Sequence, residues 1–144
     1  LAAPDDSYAA SLLSEAELAL FMRLSGPERE HALAVARCVA SKHPEAPATV
    51  LRAALLHDIG KLGSSANVLW RVVAHLVPAA EVPAEPRSSG LAGTRQAKRH
   101  HATYGRQLIL RAGGDPEVAR LVGRHHTPGS DPGASLIASC DELS

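Results

Sequence analysis

Apolar residues in this chain recur at three- and four-residue spacing, and proline, glycine and capping residues cut that pattern into short lengths. Such spacing lines one face of a helix. No stretch alternates apolar and polar residues as a half-buried strand does. Only 3% of residues are aromatic although 45% are apolar, so leucine, valine, alanine and isoleucine must build the core. Alanine and leucine favour helices over strands. The expectation is an all-α protein: a compact bundle of about six to seven helices in a single domain over residues 1–144, with its core at about 14–144.

The punctuation predicts the helix ends. Ser14 and Glu17 form a capping box ahead of Leu18, Phe21 and Met22. Gly26-Pro27 breaks the chain, and Pro27 suits the first position of a helix running to about His43. A third helix, at about 48–59, carries AALLHDIG, with Gly60 as a left-handed cap. A short helix is expected from Val68 to Val77 and a loop over 78–93, rich in proline, serine and glycine. Thr94 then caps a long helix to about Ala112, closed by Gly113-Gly114. Asp115-Pro116-Glu117 starts a helix that ends near His126. After a turn over 127–133, a last helix runs from about Ala134.

Fifteen basic and fifteen acidic residues cancel. A grip on long nucleic acid needs a basic excess, so that class of partner is not expected; a small anion needs only a local positive site. Cys38 and Cys140 fall in apolar helical patterns and read as free, buried small hydrophobes rather than a disulfide framework. No apolar run is long enough to span a membrane, and the first residues lack the layout of a signal peptide. A cytoplasmic location is the expectation. The oligomeric state is not legible.

The eight histidines matter most for where they fall on helices. His125 shares a face with Val118, Leu121 and Val122, and His101 with Ala97, Tyr104, Gly105 and Leu108, both inward stripes. His126 lies nearer the edge of its stripe, and His100 lines up with Gln96, Thr103, Gln107 and Arg111 on an outward face. His31 shares its stripe with Val35 and Cys38, and Asp141 with Ala134, Ile137 and Ala138. His57 and Asp58 close the most apolar helix. His43 and His75 read as ordinary surface or helix-end residues. A buried histidine taken alone is more often a hydrogen-bonded core residue than a ligand. Several together, with two inward acids and no evident buried lysine or arginine, point to a metal site, because an inward acid is costly unless paired or bound to a cation. Imidazole with carboxylate suits Mn, Fe, Co, Ni or Zn, with Mg a further option.

At these residues the chain resembles the HD-domain metal-dependent phosphohydrolases. ALLHDIGKLG, residues 54–63, is similar to the family's His-Asp doublet; His31 stands at the place of its first histidine and Asp141, in SLIASCDELS, at that of its closing aspartate. HHATYG, with His101 before Gly105, and VGRHHTPG, with His125, resemble the histidine-rich two-metal branch. That branch is related to the HD-GYP phosphodiesterases, but this chain has TPGSDPGAS where they carry Gly-Tyr-Pro, and Pro27 where a third metal would need a carboxylate. The small bacterial enzymes that split diadenosine tetraphosphate share the same order of ligands.

The resemblance implies a phosphohydrolase acting on a small phosphorylated substrate of the nucleotide class, a phosphoester or phosphoanhydride, by two-metal activation of water. His31, His57, Asp58 and Asp141 would hold one divalent ion, and Asp58 would bridge to a second on His101 and His125, with His126 and His100 as secondary candidates. Asp58 and Lys61 would be catalytic, and Lys61, Arg95, Lys98, Arg99 and Arg106 would meet substrate phosphate; for the four residues on the His101 helix the competing reading is a solvated face. Two other outcomes stay open: a sensor or binding module that keeps the fold without turnover, and a di-iron enzyme of oxygenase type.

Overall fold

The computed structural model describes residues 4–62 and 90–144, and over 90–99 the backbone alone. The expected short helix at 68–77 and the loop over 78–89 lie outside the described residues. Among the described residues there are seven α-helices, one short 3-10 turn and no strand: α1 (Asp6–Leu12), α2 (Glu15–Phe21), α3 (Gly26–Lys42), α4 (Ala48–Leu56), the 3-10 turn (Ile59–Lys61), α5 (Gly90–Ala112), α6 (Pro116–Arg124) and α7 (Pro132–Leu143). The fold is all-α. None of these helices is long and apolar enough to cross a membrane.

Packing begins earlier than expected. Helix α1 precedes Ser14, buries Ala9 and lies against α3 and α4. Two arginines of α3 hold it in place: Arg29 donates to Asp6 at 3.0 Å and Arg37 to Asp5 at 2.8 Å.

The predicted caps of α2 and α6 form. Glu17 N–H donates to Ser14 Oγ and Ser14 N–H to Glu17 Oε1, while Glu117 N–H donates to the Asp115 carboxylate. Pro27 takes the second rather than the first position of α3, because Ser25 and Glu28 form their own capping box one residue upstream. Asp131 caps α7, which therefore starts two residues before Ala134. Helix α5 starts at Gly90, so residues 90–93 are helical rather than loop and Thr94 is not its cap.

Glu17 does more than cap. Its side chain is fully buried, and its carboxylate accepts from Arg52 Nε and Nη2 at 2.6–2.9 Å and from Asp115 N–H at 3.0 Å. One carboxylate thus ties α2 to α4 and to the start of α6. Burial works to raise its pKa, but the Asp115 N–H, Arg52 and the Ser14 N–H outweigh it and hold the value below the ordinary 4.5. The stabilisation is therefore complete above about pH 4.5 and drains away as pH falls through the lowered value. Glu17→Ala should cost about 3 kcal/mol, because Arg52, in a largely buried place, loses its close partner and keeps only the 3.4 Å bond to Asp115. Glu17→Gln should flatten the acid limb of the stability curve, and urea unfolding between pH 3 and pH 7 measures both effects.

Helix α4 ends at Leu56, three residues short of the expected limit, and Gly60 is not a left-handed cap. Among the described residues only Gly113 (φ +86°) and Gly129 (φ +56°) have positive φ. Gly60 is required for a different reason: a Cβ there would lie 1.7 Å from the carbonyl oxygen of His101. The 3-10 turn and α5 meet backbone to backbone at this point.

Cys38 and Cys140 are not free. They form a disulfide between α3 and α7, with Cα atoms 5.8 Å apart. The apolar stripes that carry both cysteines are the faces on which the two helices meet, so the apolar patterning and the pairing have one cause.

Candidate metal centre

Two helices end at the site, and their ends position its histidines. The last carbonyls of a helix lack partners within it. His57, which caps α4, donates Nδ1–H to Ala54 O at 2.6 Å, and His125, which caps α6, donates Nδ1–H to Val122 O at 2.7 Å. A carbonyl only accepts, so both rings are fixed with the Nε2 edge turned away from the helix. Both Nε2 atoms are buried and make no hydrogen bond. A metal-ligating histidine needs this arrangement, one nitrogen held by a carbonyl and the other left for the ion.

Around His57 Nε2 stand two carboxylates, Asp58 Oδ2 at 3.3 Å and Asp141 Oδ1 at 3.4 Å. His31, one turn into α3, places Nε2 2.8 Å from Asp141 Oδ1 and 3.9 Å from Asp58 Oδ2. One ligand atom from each of His31, His57, Asp58 and Asp141 lies within 4.8 Å of the others. Asp58, His125 and His126 form a second group of the same tightness, so the Asp58 carboxylate belongs to both. The His57 and His125 ring centres are 5.2 Å apart.

The electrostatics set the two helix-capping histidines apart. Burial opposes charge on His57, but the carboxylates of Asp141 and Asp58 prevail and push its pKa up to about 10. Burial works to raise the Asp58 pKa, yet the neighbouring His57 holds it well below the usual carboxylate range. Asp141 is lowered too, first by His57. His125 goes the other way: burial, with His126 and His57 nearby, pushes it down to about 3, so its Nε2 carries a lone pair at neutral pH. A proton on His57 meets the demand of the two carboxylates when no metal is bound. The donor set fits a borderline divalent ion.

The remaining candidates fall in different places. His101 is half-buried on α5 and belongs to neither ligand group; burial first and Lys61 second lower its pKa, while Asp58 acts to raise it. His100, expected on an outward face, is buried at 1% exposure, and its Nδ1 lies 3.0 Å from the Tyr104 hydroxyl. The face assignment is corrected: tertiary packing covers a side of α5 that the sequence pattern reads as polar. Lys61 Nζ is 3.4 Å from Asp58 Oδ2 and partly exposed. Arg106 lines a cleft between α5 and α6 with Thr103, Arg120, Gly123 and Arg124. The side chains of Arg95, Lys98 and Arg99 lie outside the described residues. His43 sits at the far end of α3, in a cleft with Glu45, Glu117 and Arg120.

His126 is the residue that helix phase undervalues. Its ring centre is 3.9 Å from that of His125. Helix α6 ends at Arg124, so beyond that point the helical period no longer says which residue faces inward. The doublet of adjacent histidines is the signal that remains.

The sequence model of the HD domain matches residues 29–144, which takes in both ligand groups. No curated protein and no solved structure matches the chain. With the match running over most of its length, the chain belongs to the HD-domain family, whose members are mostly metal-dependent phosphohydrolases.

Proposed function

We propose that this chain is a phosphohydrolase that uses two divalent ions to hydrolyse a small phosphoester or phosphoanhydride of the nucleotide class. The observation that carries the reading is the Asp58 carboxylate, common to two compact ligand groups, one of which holds His57 and the other His125. His31, His57, Asp58 and Asp141 are the ligands of the first ion. Asp58, His125 and His126 serve the second, and His101, whose field reaches Asp58, is the next nitrogen available to it. A pair of divalent ions supplies charge to lower the pKa of a water and to neutralise phosphoryl oxygens.

The chain's own groups do the positioning. Ala54 O and Val122 O hold the two imidazoles in one tautomer, and Asp58 offsets the repulsion between two cations in a way that no neutral ring could. Lys61, free to move on its exposed side, leaves Asp58 to meet a substrate phosphate, and Arg106 adds positive charge farther along α5. Purified protein, stripped and reloaded separately with Mn, Ni and Fe, should release phosphate from one or more nucleotides or dinucleotides. Metal uptake without any phosphate release would favour a binding module, and oxygen-dependent turnover with iron alone would favour oxidative chemistry.

The ligand groups also rank two histidines. His126→Ala should weaken uptake of the second ion by about tenfold, more than His101→Ala, because only His126 stands within ligand distance of His125 and Asp58. Manganese titration of the two variants side by side decides; the reverse order would return the second ion to His101.

A further inference from the structure

The disulfide lies beside the first ligand group. Cys140 directly precedes Asp141, and Cys38 follows His31 by two helical turns on the same stripe of α3. The last turn of α7 therefore meets α3 at two points: through the sulfurs of Cys38 and Cys140, and through the 2.8 Å contact of Asp141 with His31. Two turns of helix separate these points along α3, about 10 Å. Ala134 and Ile137 seat α7 in the apolar core, and the two contacts at its last turn fix its rotation there, and with it the direction of the Asp141 carboxylate. Asp141 is the one ligand of the first group that comes from α7.

We propose that the Cys38–Cys140 disulfide is a positioning cross-link for the first ion, holding Asp141 in register with His31, so that reducing it weakens divalent-metal binding. This rests on the metal-site reading above. Cys140 is fully buried and Cys38 is not, which makes the Cys38 sulfur the point of attack. With a trialkylphosphine, phosphorus bonds to Cys38 sulfur, the S–S bond breaks, and its electron pair leaves on Cys140, which takes a proton. Water then displaces the Cys38 sulfur from phosphorus, and that sulfur leaves as the second thiol. The products are two thiols and one phosphine oxide.

The test is a manganese(II) titration of the full chain, air-oxidised and after phosphine reduction and anaerobic desalting, with Cys38→Ser and Cys140→Ser beside it. Circular dichroism reports the fold and a thiol assay the redox state. Val50→Ala controls for general loosening, since Val50 is buried at the other end of α4 from His57. The expected result is affinity about tenfold weaker in the reduced chain and in both serine variants, at unchanged helix content. Val50→Ala should melt earlier yet bind manganese as wild type does. Equal affinity in both redox states would overturn the proposal. So would two free thiols in the air-oxidised chain, or an equal loss of affinity in Val50→Ala. No manganese uptake in either state would instead sink the metal-site reading, and the cross-link's role with it.

Discussion

Asp58→Ala is expected to abolish phosphate release while the chain stays helical. Asp58 is the only residue shared by the two ligand groups, and its loss takes a carboxylate from both at once. Two divalent ions a few ångströms apart repel strongly where water is scarce. Without the shared carboxylate at least one should leave, and the pKa of the attacking water should climb back toward that of bulk water. Several kcal/mol of lost transition-state stabilisation means on the order of a thousandfold or more in rate. Asp58→Asn separates charge from shape: it keeps the size of the side chain, loses the negative charge, and should be nearly as inactive. Steady-state kinetics with manganese, beside circular dichroism, reads the effect. A folded variant with wild-type turnover would remove Asp58 from the mechanism.

Gly60→Ala should be the most damaging single change to stability, more than about 4 kcal/mol. The added Cβ would meet the main-chain oxygen and carbon of His101 at 1.7 and 2.5 Å. A flexible side chain could swing aside; a helix backbone cannot. Helix α5 would have to lift off the 3-10 turn, and Gly105, whose own Cβ would meet Val122 at 3.0 Å and the Gly60 nitrogen at 3.3 Å, would lose its fit as well. Thermal melting of Gly60→Ala against wild type measures this. Gly113→Ala is the comparison: nothing stands within 4 Å of its Cβ, so it should pay only for its positive φ, about 1 kcal/mol. Similar losses in the two variants would mean that the close approach of α5 and the turn is not what Gly60 serves.

Much of the fold could be read because capping residues act locally. Ser14 with Glu17 and Asp115-Pro116-Glu117 satisfy helix-end donors within three residues, and both form as expected. Helix α1 escaped because it spans two turns and its N-cap, Asp5, makes no side-chain capping bond. What depends on distant partners was not legible. Glu17 looks like a cap residue until Arg52 and Asp115 arrive from elsewhere in the chain. The pairing of Cys38 with Cys140 spans 102 residues, and sequence spacing carries no information about such a link.

The candidate site divides in the same way. His31, His57, Asp58, His125 and Asp141 stand together because each lies on, or just beyond, an inward helical stripe. His126 parts from expectation where the helical period stops being a guide, and His101, inside α5, belongs to neither ligand group. His126 lies past the end of α6, and His101 meets the 3-10 turn with its main chain. His100 shows the opposite failure, a residue inside a helix whose polar-looking face is covered by packing.

The central claim is that one carboxylate serves two cation positions, and manganese(II) spin-resonance titration of the metal-free chain tests it most directly. Two ions should bind per chain, and the six-line signal of the first should broaden and weaken as the second arrives, because a shared Asp58 brings the two spins into contact. Asp58→Asn should bind one ion at most, with an uncoupled signal. A single equivalent in the wild-type chain, or two equivalents with independent signals, would contradict the account.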